Sequence, residues 1–199
     1  FLADAVARGA AALIVSRPIP DPGALGDVTI VRVADQLAAL GAVASAWRRR
    51  FDPLVVGVTG SIAKTSTKEA VATVLAARYR TLRNEGNLNN EIGLPLTLLR
   101  LGPEHEAAVL EMGMYVGGEI ADLARMAQPR IGVVTAVQPV HLSRIGSIEA
   151  IEQAKGELLE ALPADGRAIL NADDPIVRRM GSRSIAPSLY VAIGLSGKF

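Results

Sequence analysis

The sequence of 199 residues contains no cysteine, so disulfide bonds and thiolate metal sites are excluded. Aromatic residues make up only 4% of a chain that is 50% hydrophobic, which predicts a core of aliphatic side chains. The net charge of +1 gives no basic field for nucleic acid. No apolar run reaches membrane-spanning length, and the start lacks the layout of a signal peptide. We therefore expect a cytoplasmic protein that binds no nucleic acid and does not insert into a membrane.

What the sequence has is a regular alternation of short apolar runs and helical patterns after residue 53. We predict strands over residues 54–58, 81–83, 107–112, 131–137, 167–170 and 189–193, separated by helices over residues 64–78, 91–101, 118–127 and 147–162. Nearly all-apolar strands that alternate with helices predict an α/β fold, with a mostly parallel sheet and helices on both faces.

The first 53 residues show a separate pattern, typical of the end of a smaller α/β domain. It predicts a helix at residues 2–8, a buried strand at 11–16, a second strand at 28–33, and a helix that begins after the N-cap residue Asp35. Three arginines at residues 48–50 are interpreted as a solvated helix end rather than a nucleic-acid patch. Asp52-Pro53 then marks the predicted domain boundary.

The turn that follows the first strand of the second domain indicates phosphate binding. Residues 58–66 read V-T-G-S-I-A-K-T-S, with a strand before them and a helix after them. Backbone N–H groups and the helix dipole would face an anion, Lys64 would add a charge, and Thr65 would offer its hydroxyl to Mg²⁺. The pattern G-x-x-x-x-G-K-[ST] itself is not matched, because Val58 and Ala63 stand at its glycine positions. An ordinary turn with a surface lysine is the alternative.

Polar side chains also follow the other predicted strands, at the sheet edge where parallel sheets bind ligands. They are Asn87, Asn89 and Asn90 after the second strand, Glu111 at the end of the third, His141 past the fourth, and Asn171, Asp173 and Asp174 after the fifth. An acid at such a strand end is typical of a magnesium ligand. Each residue also fits a structural role: Glu111 as a helix cap, His141 as a core or loop residue, the asparagines as turn formers, and Asp173-Asp174-Pro175 as a helix start.

Six blocks of this sequence, in order, resemble the Mur ligases of peptidoglycan synthesis. They read T-G-S-I-A-K-T-S-T-K-E, N-L-N-N-E-I-G-L-P-L-T-L-L, L-E-M-G-M-Y-V-G-G-E-I, P-V-H-L, A-K-G-E-L-L and L-N-A-D-D-P. The resemblance implies that residues 1–53 are the C-terminal part of the N-terminal UDP-sugar-binding domain. It implies that residues 54–199 are an incomplete central ATP-binding domain of P-loop NTPase-like fold, and that the family's C-terminal domain is absent. We therefore expect a monomer that, as this 199-residue chain alone, does not catalyse ligation.

Within the family, the N-x-N-N-x-I-G-x-P and E-M-G segments favour the member that adds D-alanyl-D-alanine to UDP-N-acetylmuramoyl-tripeptide. In the implied reaction, ATP phosphorylates the substrate carboxylate and the dipeptide amine attacks the acyl phosphate. By the resemblance, Lys64 holds the phosphates, Thr65 and Glu111 bind one of two Mg²⁺ ions, His141 helps to bind the other, and Asn89 lies beside the transferred phosphoryl group. The remaining ATP-binding residues implied are Thr59, Gly60, Ser61, Ile62, Ala63, Ser66, Asn87, Asn90, Asn171 and Asp174.

The resemblance also implies that Lys155, in A-K-G-E, is carbamylated and binds Mg²⁺. An ammonium about 4 Å from a divalent cation would be repelled by roughly 8 kcal/mol at an effective dielectric of about 20. Such a site favours the neutral amine, which reacts with carbon dioxide, and the carbamate binds Mg²⁺ as a carboxylate does. By its pattern alone, Lys155 also fits a surface position on an amphipathic helix.

The main departure from the family is Ala63, where a glycine is usual. Its methyl group would cost about 1–2 kcal/mol if the loop requires a positive φ. Two other functions stay open on the sequence: a related ligase of the folylpolyglutamate or cyanophycin type, and a nucleotide-binding homologue without catalysis. Only Ala63 supports the last, whereas Lys64, Glu111, His141 and Lys155 argue against it.

Overall fold

A computed structural model describes residues 1–139 and 146–192 of the chain. The chain begins with helix α1 (Leu2–Ala7) and strand β1 (Ala12–Val15), and a 3₁₀ turn (Pro22–Leu25) precedes strand β2 (Thr29–Arg32). The two strands pair in parallel. In β1, Leu13 and Val15 are buried but Ile14 is exposed, and all of β2 is exposed. The prediction of a buried strand at 11–16 therefore holds for one face only.

Helix α2 (Gln36–Arg48) packs against the helices of the larger sheet. It begins where predicted, because the Asp35 carboxylate accepts hydrogen bonds from the backbone N–H groups of Leu37 and Ala38 at 2.7 and 3.0 Å. Near its end, the Trp47 indole donates to the Leu101 carbonyl at 2.8 Å. Fully buried Ala44 belongs to the same core cluster as residues of the larger sheet.

The interpretation of residues 48–50 as a solvated helix end is wrong for Arg48. Its side chain is buried, with Nε donating to the Ala127 carbonyl at 2.8 Å and Nη1 donating to the Phe51 carbonyl at 2.9 Å. Carbonyls at a helix end lack partners within the helix, so a buried guanidinium that satisfies one of them is stable there. Arg49 and Arg50 are exposed, as expected.

Six parallel strands form the main sheet, which confirms the predicted fold class. Their spatial order is β4 (Thr81–Arg83), β5 (Ala107–Glu111), β3 (Leu54–Thr59), β6 (Ile131–Val134), β7 (Arg167–Asn171) and β8 (Ser188–Val191). Between them lie helices α3 (Lys64–Ala76), α4 (Gly93–Leu98), α5 (Glu119–Ala127), α6 (Ile148–Glu160) and α7 (Pro175–Arg179), and a 3₁₀ turn (Met180–Arg183). Since all strands run the same way, their carboxyl ends share one edge.

Alternate residues of the central strand β3 pack against different helices. Val56 and Val58 lie in a cluster with Ala72 of α3, whereas Val55 lies in the cluster formed with α2, α4 and α5. Gly57 of β3 allows α6 to approach closely, because a Cβ there would lie 2.9 Å from a methyl carbon of Leu158. Within residues 1–139 and 146–192, no helix is long and apolar enough to cross a membrane.

Candidate functional site

The turn between β3 and α3 forms a tight loop at the carboxyl edge of the sheet. Gly60 has a φ of +151°, and a Cβ at this position would lie 1.9 Å from the Thr135 hydroxyl oxygen, so only glycine fits. Ala63 adopts a left-handed conformation, with φ 60° and ψ 9°, immediately before the first residue of α3. The loop therefore does require a positive φ at the position where the sequence has alanine instead of glycine.

Contacts from the end of β6 and the residues after it hold this loop in place. The Thr135 hydroxyl donates to the Ile62 carbonyl at 2.6 Å, and the Ser61 N–H donates to the Ala136 carbonyl at 2.8 Å. Asn171 in turn donates from Nδ2 to the Thr135 carbonyl at 2.8 Å. These contacts end β6 at Val134, earlier than the predicted residue 137, because the chain turns towards the loop. A fixed loop at a helix N-terminus is suited to binding a phosphate.

Glu111 joins the loop from the adjacent strand β5. Glu111 is 2% exposed, and its carboxylate accepts hydrogen bonds from the Thr65 hydroxyl at 2.9 Å and from Asn89 Nδ2 at 2.7 Å. The alternative that Glu111 caps the next helix is wrong. The N-terminus of α5 is instead bound by Glu157, which accepts from the Gly118 and Ala121 N–H groups at 2.7 and 3.0 Å.

Thr65 and Glu111 form a donor set that fits Mg²⁺. Across residues 1–139 and 146–192, no group of three or more His, Asp or Glu side chains is placed to hold a metal ion. Mg²⁺ prefers oxygen ligands and is usually bound by one or two carboxylates together with substrate phosphates. One buried carboxylate and one hydroxyl beside a phosphate-type loop match this mode.

Two lysines contribute positive charge to the same region. Burial lowers the pKa of Lys64, although the nearby Glu111 acts to raise it. The Lys155 side chain, on α6, is only 4% exposed. Burial, and to a smaller extent the charge of Lys64, lowers the pKa of Lys155 to about 8. About one-tenth of Lys155 is therefore neutral amine at pH 7, against a negligible fraction for an ordinary lysine.

A cleft of about 190 Å³ lies between the phosphate-type loop, the residues after β4 and β5, and helices α5 and α6. The predicted site residues that line it are Gly60, Ser61, Lys64, Asn89, Asn90 and Lys155. It is also lined by carboxylates that the sequence analysis did not single out, Glu91, Glu119 and Asp122.

Other predicted nucleotide-binding residues make local structural contacts. Thr59 is buried and donates to the Met112 carbonyl at 2.9 Å, and Asn90 Oδ1 accepts from the Gly93 N–H at 2.9 Å at the start of α4. Asp174 is the N-cap of α7 and also accepts from the Val137 N–H at 2.9 Å, so the helix-start alternative describes its geometry. The side chains of Ile62, Ser66 and Asn87 are exposed. His141 lies outside the described residues.

Sequence reasoning missed a buried polar network beneath the site. Lys68 and Asn84 are both fully buried, and Lys68 Nζ donates to the Asn84 carbonyl at 2.8 Å. Thr135 and Glu157 were also missed. Thr135, a polar residue near the carboxyl end of the predicted strand 131–137, was a usable signal, but Lys68 and Glu157 look like exposed helix residues in the sequence.

Comparison with known proteins identifies the family. Residues 58–197 match the profile of the Mur ligase middle domain, which is well over half of the chain. The chain belongs to the Mur ligase family. The chain is 42% identical over 183 residues to a UDP-N-acetylmuramoyl-tripeptide–D-alanyl-D-alanine ligase of Synechocystis, covering 92% of the chain and 40% of that protein. It is 42% identical over 174 residues to the protein of the same name from Escherichia coli, covering 87% of the chain and 37% of that protein.

Solved structures support the same assignment. The MurF ligase of Thermotoga maritima, in complex with ADP, superimposes with a TM-score of 0.86 at 31% identity, covering 99% of this chain and 44% of that one. The Escherichia coli FolC structure, at 16% identity and a TM-score of 0.58, shares only the fold. The chain thus spans about 40% of the length of the curated relatives that it matches.

Proposed function

We propose that the complete protein is an ATP-dependent ligase that joins D-alanyl-D-alanine to UDP-N-acetylmuramoyl-tripeptide. The observation that carries the proposal is a single cleft bordered by a phosphate-type loop, by Asn89 hydrogen-bonded to Glu111, and by the buried Lys155. Curated relatives that are about 40% identical bear this name, which supports the choice of substrates. The product would be an amide of peptidoglycan synthesis.

In this proposal, the loop at residues 59–66 binds the phosphates of ATP. Its N–H groups and the N-terminus of α3 attract the negative charge, and Lys64 neutralises the β- and γ-phosphates. Asn89 lies beside the transferred phosphoryl group, with Asn87 and Asn90 in the same loop. Asn171 and Asp174 act from beneath the nucleotide by supporting residues 135–137. The cleft places the substrate carboxylate close to the phosphate, which lowers the entropic cost of the transfer.

Thr65 and Glu111 would hold the first Mg²⁺, which supplies charge neutralisation on the phosphates when bound. The hydrogen bond from Asn89 fixes one Glu111 oxygen and the hydroxyl of Thr65 reaches the other, so the carboxylate has a defined orientation. The second ion, with His141 as a ligand, stays a prediction from the sequence.

We propose that Lys155 is carbamylated in the active enzyme. Its low pKa of about 8 supports this, because the neutral Nζ attacks the carbon of carbon dioxide and the nitrogen then loses a proton. The resulting carbamate would exchange a buried cation for an anion that can bind Mg²⁺. The amine of the incoming dipeptide would then attack the acyl phosphate of the muramoyl peptide, and inorganic phosphate would leave.

The domain assignment is part of the same proposal. Residues 1–53 would belong to the UDP-sugar-binding domain and residues 54–199 to the ATP-binding domain of a cytoplasmic monomer. Light scattering of the complete protein with and without nucleotide tests the monomer, and a stable dimer would contradict it.

Phosphate release by the complete protein tests the function. We expect release only when ATP, Mg²⁺, UDP-N-acetylmuramoyl-tripeptide and D-alanyl-D-alanine are all present, with one amide formed per phosphate. Release that depends on a folate or another carboxylate instead would assign a different ligase. Nucleotide binding without any release would indicate a homologue that has lost catalysis.

A further inference from the structure

Lys68 is a buried cation that the reaction proposed above does not use. It lies one helical turn after Lys64 on α3, and its side chain is fully buried. The ammonium has three protons, and three acceptors surround it: the Asn84 carbonyl at 2.8 Å, the Gly86 carbonyl at 3.4 Å and Glu69 Oε1 at 3.0 Å. Burying an ammonium is costly unless it is paired and fully hydrogen-bonded, and this one is.

The two carbonyls belong to the turn that leaves β4 and leads to Asn89. Gly86 has a φ of +51°, and the Leu88 N–H donates to the Glu85 carbonyl at 3.1 Å, so the chain turns at this point. The Lys68 ammonium binds the first and third residues of the turn and thereby fixes its shape. Glu69, whose side chain is partly exposed to solvent, forms an ion pair with the Lys68 ammonium and a second one with Arg83 Nε at 2.9 Å. The hydrogen bond from Lys68 lowers the pKa of Glu69, so Glu69 is an anion at neutral pH.

Asn84 connects the turn to the strand that carries Glu111. Its Nδ2 donates to the Glu111 carbonyl at 3.0 Å and to the Leu88 carbonyl at 2.9 Å, and its Oδ1 accepts from the Glu111 N–H at 2.9 Å. The buried amide of Asn84 thus has all its partners. It fixes the backbone of Glu111 on one side and the residue before Asn89 on the other.

Asn89 is the end point of this network. Its carbonyl accepts from the Gly113 N–H at 2.8 Å, and its Nδ2 donates to Glu111 Oε1 at 2.7 Å. A change in the turn at residues 84–86 would shift both members of the Asn89–Glu111 pair. Lys68 has no place in the cleft lining and reaches the pair only through Asn84 and the turn.

We infer that Lys68 is a positioning residue, which sets the geometry of Asn89 and Glu111 for phosphoryl transfer by fixing the turn at residues 84–86. The inference rests on the proposed function for its readout in amide formation. It predicts an effect on kcat and on the Mg²⁺ requirement, because misplacing catalytic groups by about 1 Å costs up to about 100-fold in rate. The phosphate loop itself is untouched, so the KM for ATP measured at saturating Mg²⁺ should change little.

The test uses the complete protein with Lys68→Met, Lys68→Arg and the control Glu69→Gln. We expect Lys68→Met to lower kcat about 10–100-fold and to raise the Mg²⁺ concentration for half-maximal rate. Lys68→Arg, which keeps charged donors, should recover most of the rate. Glu69→Gln removes the ion pair but leaves both carbonyl contacts intact, so it should lower the thermal stability while kcat and the Mg²⁺ dependence stay near wild type.

Folding is measured alongside by thermal unfolding, and rates are compared at a temperature where each variant is folded. A Lys68→Met protein with reduced stability but normal kcat and normal Mg²⁺ dependence would overturn the inference. If Lys68→Met does not fold, Lys68→Gln, which keeps two donors without charge, should show the same shift in Mg²⁺ dependence, and a normal value there would also overturn it.

A binding measurement separates this inference from the proposed function. Calorimetry with ADP and Mg²⁺ should show weaker Mg²⁺-dependent binding for Lys68→Met, and equal binding of ADP without metal. If the wild-type protein forms no amide but this difference appears, the proposed function fails and the role of Lys68 stands. If the wild-type protein forms the amide, and Lys68→Met equals wild type in both kinetics and calorimetry, the inference about Lys68 is wrong and the proposed function stands.

Discussion

Replacing Ala63 with glycine should stabilise the protein, against the usual direction of such a change. Ala63 has φ 60° and ψ 9°, where an L-residue with a Cβ is strained by about 1–2 kcal/mol. Glycine removes that strain but makes the unfolded chain more flexible, which costs about 0.4–1 kcal/mol. The Ala63 side chain is exposed, so its methyl group contributes little burial. The net expectation is a gain of about 1 kcal/mol in the free energy of unfolding.

A matched control lies in the helix that follows. Ala70 is exposed within α3, where the backbone is right-handed. Ala70→Gly should destabilise the protein by about 0.5–1 kcal/mol, because glycine loses more conformational freedom in a helix. The two substitutions remove the same methyl group, so their difference of about 1.5 kcal/mol isolates the left-handed conformation.

Urea unfolding of the complete protein measures both variants against wild type, and calorimetry measures ADP binding. We expect ADP binding to Ala63→Gly to be equal or tighter, since the loop is already in the required conformation. If Ala63→Gly destabilises the protein as much as Ala70→Gly does, residue 63 is not left-handed. A loss of ADP binding with normal stability would show that the loop geometry is wrong.

Three further predictions concern the site. Glu111→Gln keeps the side-chain shape but removes its charge, so phosphate release should fall roughly 100-fold, and an unchanged rate would exclude Glu111 as a metal ligand. Thr135→Val removes the hydroxyl that donates to the Ile62 carbonyl, so urea unfolding should show a loss of about 1 kcal/mol, whereas Thr135→Ser should show none. Folding lowers the pKa of Lys155 from 10.5 to about 8, so between these two pH values the unfolded chain binds more protons than the folded one. The free energy of unfolding of the unmodified protein should therefore increase as the pH rises from about 8 to 10.5. With labelled bicarbonate, a carbamate NMR signal should grow from about pH 7 to about pH 9 and be absent from Lys155→Arg.

The sequence predicts the order of strands and helices well, because each element carries its own pattern. Asp35 shows how local this information is: its carboxylate caps the two N–H groups that follow it, and the helix begins at the predicted residue. Glu111 lies at the sheet edge because parallel strands place their carboxyl ends together. The alternation of strands and helices in the sequence is enough to predict this position. Family resemblance adds roles to these positions, but their relative placement follows from topology.

The contacts that the sequence did not reveal are between distant residues. Lys68 and Arg48 lie on helices where long cations usually face water, and nothing in their neighbours indicates burial. Lys68 is buried because the turn at residues 84–86 presents carbonyls to it, and Arg48 is buried because α5 ends beside it. Both depend on how elements pack, over separations of 16 and 79 residues. Periodicity within one helix contains no information about such partners.

Helix α5 is held at both ends by groups of the sign that its dipole favours. The Glu157 carboxylate binds N–H groups at its beginning, and the Arg48 guanidinium binds the carbonyl of its last residue. Its nine residues form a helix about 13 Å long. One side of this helix, which carries Asp122, forms a wall of the cleft. Because Arg48 belongs to α2, a displacement of α2 would move the C-terminal end of α5 and, with it, this wall of the cleft.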